Sequence, residues 1–204
     1  IDELEELGYH ISYALLNAKA FEVPQNRERV IVIGSKNRIG LPKKVNRTIT
    51  AGQALGNLAF QFDDDSKFFT ESMDKYVAKY EKASHCVNPR DLYLDRPART
   101  LTCRNLAGAT GDMHRVRLKD NRRRRITVRE AARLQSFPDS FEFVGTETHQ
   151  YNQIGNAVAP NFAYHLAQHI KNHILGKETN AYTTTENNQY TIFENEAIYQ
   201  PSQV

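Results

Sequence analysis

Gln25, Arg27 and Arg29 occupy alternate positions in Val23-Pro24-Gln25-Asn26-Arg27-Glu28-Arg29-Val30. In extended backbone, alternate residues project to one face at intervals of about 6.5–7 Å. The result is a row of donors entering a β-branched strand, suited to gripping a phosphate or the polar edge of a base. A plainer reading is a pair of exposed edge arginines with ordinary partners. A second concentration of donors lies between Arg115 and Arg133, where nine Lys/Arg residues face only Asp120 and Glu130. Its local net charge is +7, and because the whole chain carries +3 the remainder sums to −4. A basic segment inside a slightly acidic protein predicts a localised polyanion footprint, with a solvated arginine-rich loop as the plain alternative.

Other chemistries find little support. Cys86 and Cys103 have no His or Cys at metal-ligand spacing, so neither a disulfide framework nor a metal site is expected. With 204 residues, 40% of them apolar and 25% charged, the chain reads as globular: one domain, or one domain and part of another. The longest aliphatic run, Val30-Ile31-Val32-Ile33, is far short of the ~20 residues of a membrane span. No charged-then-apolar leader opens the chain, and the cysteine usage suggests a reducing compartment. The first residue is Ile1 rather than Met, which suggests the end of something longer.

The elements that must position these residues can be read from periodicity and caps. Asp2 to Leu7 predicts a short acidic helix stopped by Gly8. Tyr9, Ile11, Tyr13 and Leu15 alternate as in a strand, and Arg29 to Ile33 predicts a strand buried on both faces. A short capped helix is expected within Thr48–Gly56 and another over Ser72–Ala83. Leu92 to Thr102 is β-like and leads into a Gly-containing stretch over Asn105–Gly111. Thr127 and Glu130 form a capping box at the start of a helix ending at Phe137-Pro138-Asp139. A further helix begins at Pro160, with Phe162, Leu166, Ile170 and Ile174 as its apolar stripe. Beyond Gly176 the Thr/Asn/Gln/Glu-rich tail is expected to be poorly ordered or an extended arm.

Three segments together resemble the cytosine-5 DNA methyltransferases. Asn17-Ala18-x-x-Phe21-x-Val23-Pro24-Gln25-x-Arg27-x-Arg29 is similar to the family's eighth block, with Glu22 where Gly is usual. Arg125-x-Thr127-x-x-Glu130-x-x-Arg133-Leu134-Gln135-Ser136-Phe137-Pro138-Asp139 resembles the ninth. Gln153-Ile154-Gly155-Asn156-Ala157-Val158 resembles the tenth, with Ala159 where Pro is common. The three follow in the family's order over roughly residues 9–175.

That resemblance implies a chemistry. The target cytosine is flipped out of the duplex, a cysteine thiolate adds to carbon 6, and carbon 5 takes a methyl group from S-adenosylmethionine. By position Arg29 would reach the flipped base, with Gln25 and Arg27 supporting the same pocket and its phosphates. Glu130 and Arg133 would form an architectural pair; Gly155, Asn156 and Ala157 would border the cofactor. In the variable stretch between the eighth and ninth blocks, Thr100-Leu101-Thr102 matches the start of a recognition loop. Arg90 stands where some members carry a guanine-contacting arginine, and Arg104 is a second candidate. Thr102 and Asn105 are weaker ones, and Arg122, Arg123 and Arg124 would add backbone affinity without sequence information.

The family's Pro-Cys nucleophile, its Glu-Asn-Val acid and its Phe-x-Gly-x-Gly cofactor loop do not occur in these residues. The expectation is therefore the C-terminal part of a methyltransferase, inactive alone and completed by an N-terminal half or subunit, in a restriction–modification setting. Alternatives are a sequence-reading DNA-binding module without chemistry, or a regulatory partner of a complete enzyme. The expected fold is α/β: residues 1–34 end a Rossmann-like methyltransferase domain, 35–147 form an irregular β-rich target-recognition domain, 148–175 return to the first, and 176–204 are tail. The partners implied are double-stranded DNA and the missing half, with no membrane. Apolar surface left bare on Ile31, Ile33, Phe162 and Leu166 would favour self-association. The setting implied is the cytoplasm of a prokaryote, or a phage-encoded protein.

Overall fold

The structure, a computed structural model, describes residues 1–83, 90–108 and 111–177 and the backbone of 181–182. Cys86 and the tail beyond Tyr182 lie outside the described residues. In chain order the elements are α1 (Asp2–Glu6), β1 (His10–Asn17), a 3-10 turn (Ala18–Phe21), β2 (Gln25–Asn26), β3 (Glu28–Ser35) and β4 (Leu41–Pro42). Then come α2 (Ala51–Leu55), a second 3-10 turn (Gly56–Phe60), α3 (Glu71–Ala83), β5 (Ala98–Arg99), α4 (Cys103–Ala107), β6 (Arg115–Arg117) and β7 (Arg123–Arg125). The last are α5 (Val128–Leu134), α6 (Glu147–Asn156), α7 (Pro160–Ile174) and β8 (Ala181–Tyr182). Two compact units result: Ile1–Leu16, Val30–Lys44 and Tyr164–Val204 make one, Asn17–Arg29 and Val45–Ala163 the other. The eighth-block segment and residues 148–163 belong to the larger unit. Among the described residues no helix is long and apolar enough to cross a membrane.

In the smaller unit β1 pairs with β3. The strand alternation is present, but the large side chains Tyr13 and Leu15 point outward while Ala14 and Leu16 are buried. β3 departs from the expected double burial: Val30 is 64% and Val32 52% exposed, and only Ile33 is buried. Alternate side chains of a strand point to opposite faces, and Val30 and Val32 share the exposed face while Ile33 lies on the buried one. The apolar surface left bare is also not where it was expected, because Ile33 and Phe162 are buried and Ile31 and Leu166 half-buried. It lies on Tyr13, Leu15, Val30 and Val32, and at the end of α7 on Ile174 and Leu175. β4 pairs antiparallel with β8, and a ring nitrogen of His169 lies 2.8 Å from the Gly40 carbonyl oxygen.

The larger unit holds a continuous apolar core from Ala51 and Leu55 through Leu101, Leu106 and Val116 to Ile126, Leu134, Tyr151 and Ile154. Its helices start where the side chains cap them. Thr50 with Gln53 and Thr127 with Glu130 close the boxes of α2 and α5. Two further helix starts are capped: Thr102 with Asn105 caps α4, which runs into the Gly-containing stretch, and Thr146 caps α6, which carries the tenth-block residues. The unit is less β-rich than expected. Of the β-like run from Leu92 to Thr102 only Ala98–Arg99 pairs as a strand, parallel to β2. Pro97 just before it has no N–H to offer a ladder. β6 and β7 form a hairpin three residues long, with Arg115 opposite Arg125 and Arg117 opposite Arg123.

Candidate functional site

Gln25 and Arg27 point inward and tie distant backbone together. The Arg27 guanidinium donates to the carbonyls of Leu101 (2.6 Å), Gly155 (3.1 Å) and Ala157 (3.2 Å). Burial, with Arg29 nearby, lowers its pKa to about 10. Gln25 accepts from the Leu101 N–H at 2.9 Å and donates to the side chain of Gln135. Gln135 in turn donates to the carbonyls of Ile154 (3.1 Å) and Ala157 (2.9 Å). Four segments are thereby joined: the approach to β3, the entry to α4, the end of α5 and the end of α6. Both side chains are buried, so Arg27 offers nothing to a phosphate and the one-face row of three donors is broken. Gln135 lies in the ninth-block motif with no role that its spacing assigns; its amide beside Leu134 and near Phe137 is the one signal in the sequence.

Arg29 behaves differently. It is exposed, and among the described residues its guanidinium donates to the neighbouring Glu28 carbonyl at 2.6 Å. A guanidinium has five N–H donors, so most remain for a ligand. Asn156 is likewise exposed at the end of α6, with Ala157 half-buried beside it. Gly155 serves a different neighbour from the one expected. A Cβ there would lie 2.6 Å from the Thr102 carbonyl carbon and clash with the Cys103 nitrogen. Its missing side chain lets α6 press on the start of α4.

The recognition candidates separate in the same way. The Thr100 hydroxyl donates to the Asn26 carbonyl at 2.7 Å and Thr102 caps α4, so both position backbone. Asn105 is buried within that cap. Arg104, on α4, is exposed. Arg90 is partly exposed, bonded to Asp112 and to the Tyr80 hydroxyl.

Most of the basic run is engaged internally. Arg115 is fully buried between Asp91 (2.6 Å) and Glu81 (2.8 Å). Arg117 also meets Asp91, and Arg123 bridges Asp91 and Asp74, which fastens α3 to the β6–β7 hairpin. Burial acts to raise the Asp91 pKa, but Arg115 and Arg123 outweigh it and hold the carboxyl below its usual range. Arg124 is buried in a two-pronged pair with Glu130 at 2.7 and 2.8 Å. It therefore cannot bind a phosphate, and it displaces Arg133 as the partner of Glu130. Arg133 instead pairs with Asp139 and donates to the Leu55 carbonyl. Of the three backbone-contact candidates only Arg122, paired with Asp120 at the surface, keeps a half-exposed side chain. Buried His114, with Arg99 near, has its pKa lowered to about 3.

Comparison with known proteins adds the following. A family model described as C-5 cytosine-specific DNA methylase matches residues 1–59 and 42–172. Type II methyltransferase M.AplI of Arthrospira platensis is 52% identical over 173 residues, covering 84% of this chain and 50% of that protein. Type II methyltransferase M1.HphI of Haemophilus parahaemolyticus is 34% identical over 204 residues, covering 88% of this chain and 51% of that one. The chain thus spans about half the length of these curated relatives. Among solved structures, the S. pombe Dnmt2 methyltransferase superposes with a TM-score of 0.63 at 19% identity, over 85% of this chain and 60% of that one. At that identity the likeness concerns the fold, and the fold agrees with the α/β expectation.

Proposed function

The chain belongs to the C-5 cytosine-specific DNA methylase family, and from that premise we propose that it supplies the C-terminal, DNA-reading portion of a DNA (cytosine-5-)-methyltransferase in a restriction–modification system. The nucleophile, the general acid and most of the cofactor cradle come from residues outside these 204. The observation that carries this reading is the knot of Gln25, Arg27 and Gln135. It binds the eighth, ninth and tenth blocks to the recognition segment in one unit and leaves Arg29 exposed just past it.

In the completed enzyme, S-adenosylmethionine supplies the methyl group. Asn156 fits a role beside it, because its amide is exposed at the end of a helix whose preceding residue is packed away against α4. Arg29 holds the flipped base through its unengaged N–H groups, and a fixed cation there favours charge developing on the base during attack. Gln25 and Arg27 act one step back: they fix the backbone from which Arg29 projects.

The direct test combines this chain with a segment of the same enzyme carrying Phe-x-Gly-x-Gly, Pro-Cys and Glu-Asn-Val, and follows labelled methyl transfer to duplex DNA. Activity is expected only from the pair. A pair that assembles and binds both DNA and cofactor yet transfers no methyl group sinks the proposal.

A further inference from the structure

Asn17 meets the segment that delivers Arg29 at three consecutive residues. Its Oδ1 accepts from the Arg27 N–H at 3.3 Å, and its Nδ2 donates to Oδ1 of Asn26 at 2.6 Å and reaches Oε1 of Glu28 at 3.5 Å. The same Oδ1 accepts from the Lys19 N–H at 3.2 Å, which caps the 3-10 turn. One residue on, the Ala18 N–H donates to the Arg27 carbonyl at 2.9 Å. Both backbone groups of Arg27 are therefore met by Asn17 and Ala18. All of these residues lie within Asn17–Arg29 of the larger unit.

The strand changes at this place. β2 ends at Asn26 and β3 begins at Glu28, with Arg27 in neither. Regular alternation would put Gln25, Arg27 and Arg29 on one face. Instead Gln25 and Arg27 are buried, while Glu28 and Arg29 are both exposed. A backbone N–H at such a break falls outside both ladders, and leaving it unmet away from water costs free energy. Asn17 supplies the acceptor. Glu28 then carries the contact onward: its carboxylate faces the Asn17 amide, and its carbonyl accepts from Nη1 of Arg29 at 2.6 Å. The Arg29 guanidinium is thereby aimed by a residue that Asn17 holds.

We propose that Asn17 is a positioning residue for methyl transfer: through the Arg27 backbone and Glu28 it sets the direction in which Arg29 leaves the strand for the flipped base. The inference rests on the reading of Arg29 as the group that holds that base. Without the Asn17 amide the Arg27 guanidinium keeps its three carbonyls, so the knot persists. What is lost is the fixed exit of Arg29, and a group that must be oriented during the reaction itself slows it.

The test uses the completed enzyme in a single-turnover assay of labelled methyl transfer to duplex DNA, with DNA and cofactor affinities measured separately. Asn17→Ala should slow transfer about 10- to 100-fold, the scale of a slightly misplaced reacting group, and leave both affinities within about twofold. Asn17→Asp keeps the acceptor for the Arg27 and Lys19 N–H groups and should recover part of the rate. Placed on Arg29→Ala, Asn17→Ala should cause no further loss, because nothing remains for it to aim. Thermal unfolding of each variant separates lost aim from lost folding. If Asn17→Ala does not fold, Asn17→Ser, which retains a cap for Lys19, takes its place in the same cycle. A wild-type rate in the folded variant, affinities that fall as far as the rate, or losses that multiply in the double variant each overturn the inference alone. Arg29→Ala transferring at the wild-type rate overturns the underlying reading and the inference with it.

Discussion

The Arg27 guanidinium donates to the carbonyl of Gly155, 128 positions further along the chain, and closes a loop through nearly the whole larger unit. Removing the side chain leaves the carbonyls of Leu101, Gly155 and Ala157 without this partner in a buried setting. Arg27→Met should therefore cost about 3 kcal/mol or more, on the scale of a lost charged hydrogen bond with unmet buried acceptors. Urea unfolding reads this directly. A loss under about 0.5 kcal/mol, typical of a surface substitution, would show that water replaces the guanidinium.

Arg29→Ala should behave in the opposite way. Its side chain is exposed, so stability should change by no more than about 0.5 kcal/mol. In the completed enzyme, turnover should fall while DNA affinity stays nearly constant. A parallel loss of affinity would place Arg29 on the phosphate backbone instead of the base.

Glu130→Ala strips a buried arginine of its only carboxylate partner among the described residues and should destabilise the unit by about 3–5 kcal/mol. Asp139→Ala breaks a more exposed pair with Arg133 and should cost less than about 1 kcal/mol. Chemical denaturation of the two variants side by side checks the order. Equal losses would show that the buried Arg124–Glu130 pair holds the unit no more firmly than the exposed Arg133–Asp139 pair.

His114 should make stability depend on pH. Buried and near Arg99, it stays neutral in the folded chain down to about pH 3, whereas an unfolded histidine takes up its proton near pH 6.5. Between those values the unfolded state binds the extra proton, so stability falls as pH falls, by at most about 1.4 kcal/mol per pH unit. His114→Gln should flatten the part of the pH profile that lies above the carboxylate range. A slope that persists from pH 6.5 to 5 in this variant would assign it to other groups.

Gly155→Ala introduces a methyl group where Thr102 and Cys103 backbone already lies. Separating α6 from α4 should cost about 1–3 kcal/mol, and should also displace the Leu101 and Ala157 carbonyls that Arg27 holds. Loss of hydrogen-exchange protection in α4 is the readout. Protection equal to wild type would mean that the helices shift without consequence.

Local features were legible in the sequence. The cap pairs Thr50–Gln53 and Thr127–Glu130, the helix over Glu71–Ala83 and the start at Pro160 all depend on residues within one or two turns. The motif order also brought Gln25, Arg27 and Arg29 forward. What sequence spacing concealed was partner choice. Glu130 and Arg133 are three apart and would face each other on a helix, yet a hairpin arginine from β7 arrives and takes the buried position. The arginine-rich run looked like a free polyanion footprint because its counter-charges, Asp74, Glu81, Asp91 and Glu147, lie in other elements. The half-exposure of β3 is not legible because a β-branched run fits a covered strand and a half-covered one equally well.

The knot also bears on swapping recognition parts between related enzymes. A transplant of residues 35–147 alone would carry Leu101 and Gln135 into a foreign host and leave Gln25, Arg27 and Gly155 behind. Chimeras cut at those boundaries would inherit the proposed reading surface without its fastenings. A graft that moves Asn17–Arg29 and Val45–Ala163 together takes donors and acceptors as a set. The exchangeable piece is therefore discontinuous in the gene, and its seams run through the strand that delivers Arg29.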